Sequence, residues 1–95
     1  MLVEFDTYPM GKSRGLGKEI ARVEKIIESS GLDYQLTSMG TILEGDWDEV
    51  METIKKCHGR LKEDYERVET HIKIDDAGEE SGRLEGKVES VRENM

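Results

Sequence analysis

Between Tyr34 and Gly45 the chain reads YQLTSMGTILEG. Tyr34 and Leu36 alternate with Gln35 and Thr37, and Thr41, Ile42 and Leu43 form a second short run of strand-forming residues. A glycine, Gly40, interrupts them. Two extended runs joined at Met39-Gly40, where a glycine can take positive φ, predict a β-hairpin. This stretch constrains the fold more than any other, because it fixes two adjacent antiparallel strands in the middle of the chain.

The flanks supply the remaining elements. Leu2 to Thr7 places Val3 and Phe5 on one side and Glu4 and Asp6 on the other, the period of a strand, and Pro9 is expected to end it because it has no amide to donate. Tyr8 to Gly17 reads as a glycine-rich loop. From about Leu16 to Ser29 the period changes: Leu16, Ile20, Val23 and Ile27 fall on one helical face, and Ser30-Gly31 is a stop signal. After the hairpin, Asp46 and Glu49 have capping-box spacing, with Asp in place of Ser or Thr. The helix they open carries Val50, Met51, Ile54, Cys57, His58 and Leu61 on or near one face. Arg67 to Asp75 alternates again, with Val68, Thr70, Ile72 and Ile74 against Glu69, His71, Lys73 and Asp75. Residues 76–82 form a polar break. Leu84, Val88, Val91 and Met95 then return at helical spacing, so residues 82–95 are expected to form a short helix that needs to dock on its own domain or on a neighbouring subunit.

The order is therefore βαββαβ plus a tail helix. It predicts a single α+β domain over residues 1–95, a ferredoxin-like antiparallel four-stranded sheet with two helices on one face. A length of 95 residues suits one core, and 38% charged against 35% apolar residues makes that core thin for its surface, which favours oligomerisation. A formal charge of −8 excludes phosphate-backbone recognition and anionic membrane surfaces as default partners. The single cysteine rules out an internal disulfide framework and points to a reduced, cytoplasmic setting. No stretch has the composition of a signal peptide or a membrane span.

Few residues promise chemistry. Cys57 and His58 are adjacent on a helix and so face apart, which makes a core cysteine beside a boundary histidine the expected arrangement. His71, His58 and Cys57 have no recognised metal spacing, and no catalytic constellation or cofactor signature is present. The GKSRGLG run brings Lys12, Ser13 and Arg14 close to a helix start. That combination fits an anion site, but an ordinary surface loop is the favoured reading. Glu44 ends a strand beside Thr41, either as a surface acid or as an acceptor or counter-ion in a pocket.

Four pieces then match a known pattern: Pro9-Met10-Gly11, Ser30-Gly31-Leu32-Asp33-Tyr34, Met39-Gly40-Thr41-Ile42-Leu43-Glu44-Gly45 and Ile72-Lys73-Ile74-Asp75-Asp76. With these the chain resembles, over nearly its whole length, the small thiamine-binding-protein family (UPF0045, YkoF-like). The resemblance implies a ferredoxin-like subunit assembled into dimers and tetramers, which binds thiamine or its hydroxymethylpyrimidine part without catalysis. It carries over Pro9, Gly11, Ser13, Gly40, Thr41 and Glu44 as ligand-site residues, with Tyr34 or Tyr8 offering a flat face. Glu44 is expected to contribute most among the carboxylates. An oligomeric module with no dedicated ligand, or a sensor of an anionic ligand held by Lys12 and Arg14, are the competing expectations.

Overall fold

The computed structural model describes residues 1–11, 15–78 and 82–95. Its elements are β1 (Leu2–Pro9), α1 (Gly17–Ser30), β2 (Asp33–Thr37), β3 (Gly40–Glu44), α2 (Trp47–Lys62), β4 (Val68–Asp75) and α3 (Arg83–Glu93). The four strands form one antiparallel sheet in the order β2-β3-β1-β4. This is the ferredoxin-like arrangement that the order of periods predicts.

One face of the sheet carries the core. Val3 and Phe5 of β1 and Leu43 of β3 are buried with Val23 and Ile27 of α1 and with Val50, Ile54, Cys57 and Leu61 of α2. Each such side chain contributes roughly 1.5–3 kcal/mol on full burial, so these few residues hold the two helices on the sheet. α2 starts as its sequence predicts: the Asp46 carboxylate accepts the Glu49 amide at 2.9 Å, satisfying one of the free amides of the first turn. α1 stops as predicted, at Gly31 in the left-handed conformation with φ 78°.

The hairpin differs in detail from its sequence reading. Ser38 and Met39 make the turn, and Gly40 is already the first rung of β3, opposite Thr37. Thr37 organises the turn by accepting the Met39 amide at 3.2 Å and donating to the Gly40 carbonyl at 2.8 Å. Gly40 is a glycine for a steric reason as well: a Cβ there would lie 2.7 Å from the Phe5 carbonyl oxygen on the neighbouring strand.

One further expectation is corrected. β1 does not stop before Pro9 but includes it, paired with Val68. β3 pairs with β1 only from Leu2 to Phe5, so the missing amide of Pro9 interrupts no rung on that side. Ile72 and Ile74 are not fully buried; each is 40% exposed, because α2 covers the margin of the sheet incompletely. The tail stripe is not buried within the chain. Leu84 is half-buried, while Val88, Val91 and Met95 are exposed.

α3 instead docks by polar contacts at its first turn, on the sheet face opposite the core. The Glu44 carboxylate accepts the Arg83 amide at 2.7 Å, and Asp75 pairs with Arg83 and Lys87, each at 2.6 Å. Those two cations, Lys87 first, hold the Asp75 carboxyl below its ordinary range. The Cα radius of gyration is 14.2 Å, against about 12 Å for a compact chain of this length. A helix reaching away from the domain accounts for that excess.

Candidate functional site

The unequal lengths of the strand ladders create the most site-like feature. β4 accompanies β1 from Leu2 to Pro9, whereas β3 leaves it after Phe5. The β1 margin beyond Phe5, on the hairpin side, thus borders a notch rather than a strand. The first turns of α1 roof this notch, and the β2–β3 turn walls it. The result is a cavity of about 220 Å³.

Its walls are mostly apolar: Phe5, Leu16, Ile20, Val23, Leu36 and Met39. The exposure of Ile20 (43%), Leu36 (56%) and Met39 (82%) has its explanation here, because all three line this opening instead of packing into the core. A few polar groups converge among them. Thr41 is buried and donates its hydroxyl to the Glu24 carboxylate at 2.6 Å. Thr7, also at the cavity, shares a 2.7 Å hydrogen bond with Thr70, which in turn lies 2.7 Å from His58 Nδ1. Asp6 and Tyr8 close the side that faces away from the helices.

That outer side is itself ordered. His71 Nδ1 lies 2.9 Å from Asp6 and its Nε2 lies 3.4 Å from Glu69. The Tyr8 ring stacks on the imidazole at a centroid distance of 5.9 Å. The hydrogen bond to Asp6 raises the His71 pKa first, desolvation opposes it, and the charges of Asp6 and Glu69 add to the rise. Desolvation, with the nearby charges of Glu69 and Asp6, pushes the Tyr8 phenol up. Among the described residues the cavity is lined by two carboxylates, Asp6 and Glu24, and by no lysine or arginine. The field of these two carboxylates favours a cation.

The residues singled out from sequence do not form one cluster. Gly40 and Thr41 line the cavity, and so does Tyr8. Pro9 is buried at the end of β1, and Gly11 is exposed beyond it with φ 90°. Tyr34 and Glu44 lie elsewhere, in a cleft with Asp33, Gly82, Leu84 and Glu85 at the start of α3. Thr41 and Glu44 are three residues apart on one strand, roughly 10 Å, and point to opposite faces. Ser13, Lys12 and Arg14 lie outside the described residues.

Glu24 is the polar group that the sequence reading missed. A signal was available. Glu24 sits one turn after Ile20 at the border of the apolar stripe, and the residues three and four away from it are Ala21, Ile27, Ile20 and Glu28, none of them basic. It is therefore not placed for the usual ion pair along a helix surface.

Cys57 is fully buried with its thiol directed at the Val23 carbonyl, 3.8 Å away. Burial first, and the Glu24 charge second, push its pKa up to about 12, so it is a weak nucleophile. Among the described residues no group of His, Cys, Asp and Glu is arranged to hold a metal. None of the described helices is long and apolar enough to cross a membrane.

Comparison with known proteins agrees with this architecture. The model of a family described as thiamine-binding protein matches residues 3–92. A UPF0045 protein of Methanothermobacter thermautotrophicus is 36% identical over 95 residues, covering 97% of this chain and 96% of that one. A hypothetical protein of Methanocaldococcus jannaschii has a crystal structure that superposes with a TM-score of 0.88 at 28% identity, covering 97% of this chain and 95% of the other. A proposed thiamine biosynthesis/salvage protein of Thermotoga maritima shares the fold, with a TM-score of 0.77 at 24% identity over 93% of this chain and 96% of that one. On its sequence and its fold alike, the chain belongs to the thiamine-binding protein family.

Proposed function

We propose that the chain binds thiamine or its hydroxymethylpyrimidine part, without transforming it, in the notch between α1 and the β2–β3 turn. The observation that carries this reading is the Thr41–Glu24 pair set in an apolar slot lined by no cation among the described residues. An aminopyrimidine ring presents two apolar faces, an exocyclic amine that donates, and ring nitrogens that accept. Apolar walls suit the faces and the Glu24 carboxylate suits the amine, while the Thr41 hydroxyl, its one proton given to Glu24, holds that carboxylate in place. The positive thiazolium of thiamine gains from Asp6 and Glu24 together. At about 220 Å³ the cavity is smaller than the roughly 300–1,000 Å³ usual for drug-sized ligands, which favours a single ring seated inside with the rest at the mouth. In this reading Glu24 takes the part that the sequence assigned to Glu44.

The same proposal has the protein acting in the cytoplasm as a self-associated dimer or tetramer, as a carrier or sensor and not as an enzyme. The raised pKa of the buried Cys57 thiol supports the last point. Titration calorimetry with thiamine, the pyrimidine alcohol and thiamine phosphate tests the assignment. Saturable heat with the first two is expected. No heat with any of the three would contradict it and favour a module without a dedicated ligand. Binding of the phosphate alone would move the site to Lys12 and Arg14.

A further inference from the structure

A row of polar side chains crosses the helix-facing layer of the sheet. Thr7 of β1 and Thr70 of β4 are register partners on that face, and their hydroxyl oxygens lie 2.7 Å apart. His58 of α2 reaches the same Thr70 hydroxyl, with its Nδ1 at 2.7 Å. Among the described residues these are the partners of the Thr70 hydroxyl. Thr7 is 8% exposed, and Thr70 and His58 are half-buried. The two ends of the row open on different spaces. Thr7 lines the cavity roofed by α1, whereas His58 lines a largely apolar cleft between α2 and β4, beside Ile54 and Ile72. Apolar side chains would fill this layer at less cost in desolvation.

Each hydroxyl has one proton to give, so the direction of one hydrogen bond in the row fixes the next. If Nδ1 accepts, Thr70 must donate to it, and Thr70 can then only accept from Thr7. The Thr7 proton is used up, and the cavity meets an oxygen lone pair. If Nδ1 carries a proton, Thr70 accepts from the ring and turns its own proton to Thr7. The Thr7 proton then points to the cavity. We propose that His58 is a positioning residue for the ligand: it donates from Nδ1 to Thr70, Thr70 donates to Thr7, and Thr7 donates to a ring nitrogen of the aminopyrimidine. No proton changes owner. The imidazole only sets which way the two hydroxyls point.

The cavity needs such a donor. A ring nitrogen accepts, and the Glu24 carboxylate has no proton to offer it. Thr41 gives its proton to Glu24 at 2.6 Å, and Thr37 gives its own to the Gly40 carbonyl at 2.8 Å. Ser38 lies on the exposed turn, and the Tyr8 ring is stacked on His71 at the outer side. Thr7 is the buried hydroxyl that remains on the cavity wall. It stands on the same face as Phe5, the register partner of Thr41. Such diagonal positions are about 7–8 Å apart, which leaves room for one ring between Thr7 and the Thr41–Glu24 pair. This inference rests on the reading that the cavity seats an aminopyrimidine, and it names the group that recognises the ring nitrogen.

Calorimetry with the neutral pyrimidine alcohol tests it, with a melting curve for each variant. Thr7→Val keeps the shape, removes the donor and should weaken binding roughly three- to tenfold. His58→Asn and His58→Asp share one shape and carry their polar atoms near the position of Nδ1. The amide can donate to Thr70, whereas the carboxylate only accepts. His58→Asn should bind within about twofold of the natural chain, and His58→Asp should lose as much as Thr7→Val does. With Thr7→Val already present, the Asn and Asp variants should bind alike, because the coupling runs through that hydroxyl. In the natural chain with the alcohol bound, the nitrogen chemical shifts of the His58 ring should show a proton on Nδ1. That spectrum needs no substitution, so it decides the direction of the row even where a variant fails to fold. No heat with the natural chain would overturn the ligand reading and this inference together. Binding that ignores Thr7→Val, that is equal in the Asn and Asp variants, or that leaves Nδ1 without a proton would overturn the role of His58 alone.

Discussion

At one end of β3, Thr41 is 4% exposed and donates its hydroxyl to a carboxylate from α1 beside an apolar cavity. At the other end Glu44 is 8% exposed and spends its own carboxylate on the first amide of α3. Both are buried polar groups with a partner, as burial requires. They differ in what the partner belongs to. Glu44 serves a helix terminus, where a negative charge complements the unpaired amides. Thr41 serves a pair whose remaining hydrogen-bonding capacity faces an open cavity. An acid at a strand end can be a cap or a counter-ion, and only the element that lands on it decides which.

The largest effect that sharpens this contrast is at Gly40, which sets how closely the cavity end of β3 approaches β1. Gly40→Ala forces a Cβ toward the Phe5 carbonyl and should cost about 1–3 kcal/mol, read as a melting temperature lower by roughly 4–8 °C for each kcal/mol. An unchanged melting temperature would mean that the strands are free to separate there. At the capped end, Glu44→Ala removes the acceptor for the Arg83 amide and should cost roughly 0.5–2 kcal/mol, with faster hydrogen exchange confined to the first turn of α3. Exchange spreading to the cavity residues would break the separation between the two ends. Cys57→Ala, beneath both, should cost about 0.5–1.5 kcal/mol as a small core deletion and leave ligand affinity unchanged. A large loss of affinity there would return the thiol to consideration.

The smallest effect concerns His71, which pairs with Asp6 of the cavity wall. Its pKa is raised in the folded chain, so its contribution to stability is fully present below the ordinary histidine value of 6.5 and is lost as pH rises through the raised value. His71→Gln should therefore be less stable than the natural chain in mildly acidic buffer, and the two should converge on the alkaline side. Equal stability at every pH would show that the Asp6–His71 contact contributes nothing.

What the sequence disclosed follows from how local each feature is. The alternation from Val68 to Asp75, the Asp46 cap and the Gly31 stop depend on neighbours within one turn or one strand, and all three hold in the structure. Cys57 sits on the apolar face of α2, and the structure buries it there. The first strand ends at Pro9 and not at Thr7, because a proline is tolerated as its last residue where β3 has already stopped. The tail stripe keeps helical spacing, yet its docking is decided by Glu44 and Asp75, which the stripe itself does not reveal. The cavity was legible only at Tyr8, Gly40 and Thr41. Its carboxylate, Glu24, lies 17 residues from Thr41 on another element, and no local period connects them. Glu44 stood in the best-matched segment, and only the position of α3 shows that its carboxylate is already engaged.

The central claim is that the carboxylate at the open end of β3, not the one at the capped end, holds the ligand. Calorimetry of Glu24→Gln and Glu44→Gln with thiamine, side by side, tests it most directly. Both substitutions keep shape and remove one charge. If Glu24 is the charged acceptor, its substitution should cost about 1.5–3 kcal/mol, roughly ten- to a hundredfold in affinity, while Glu44→Gln binds like the natural chain. The reverse pattern, with affinity lost at Glu44 and kept at Glu24, would contradict the account.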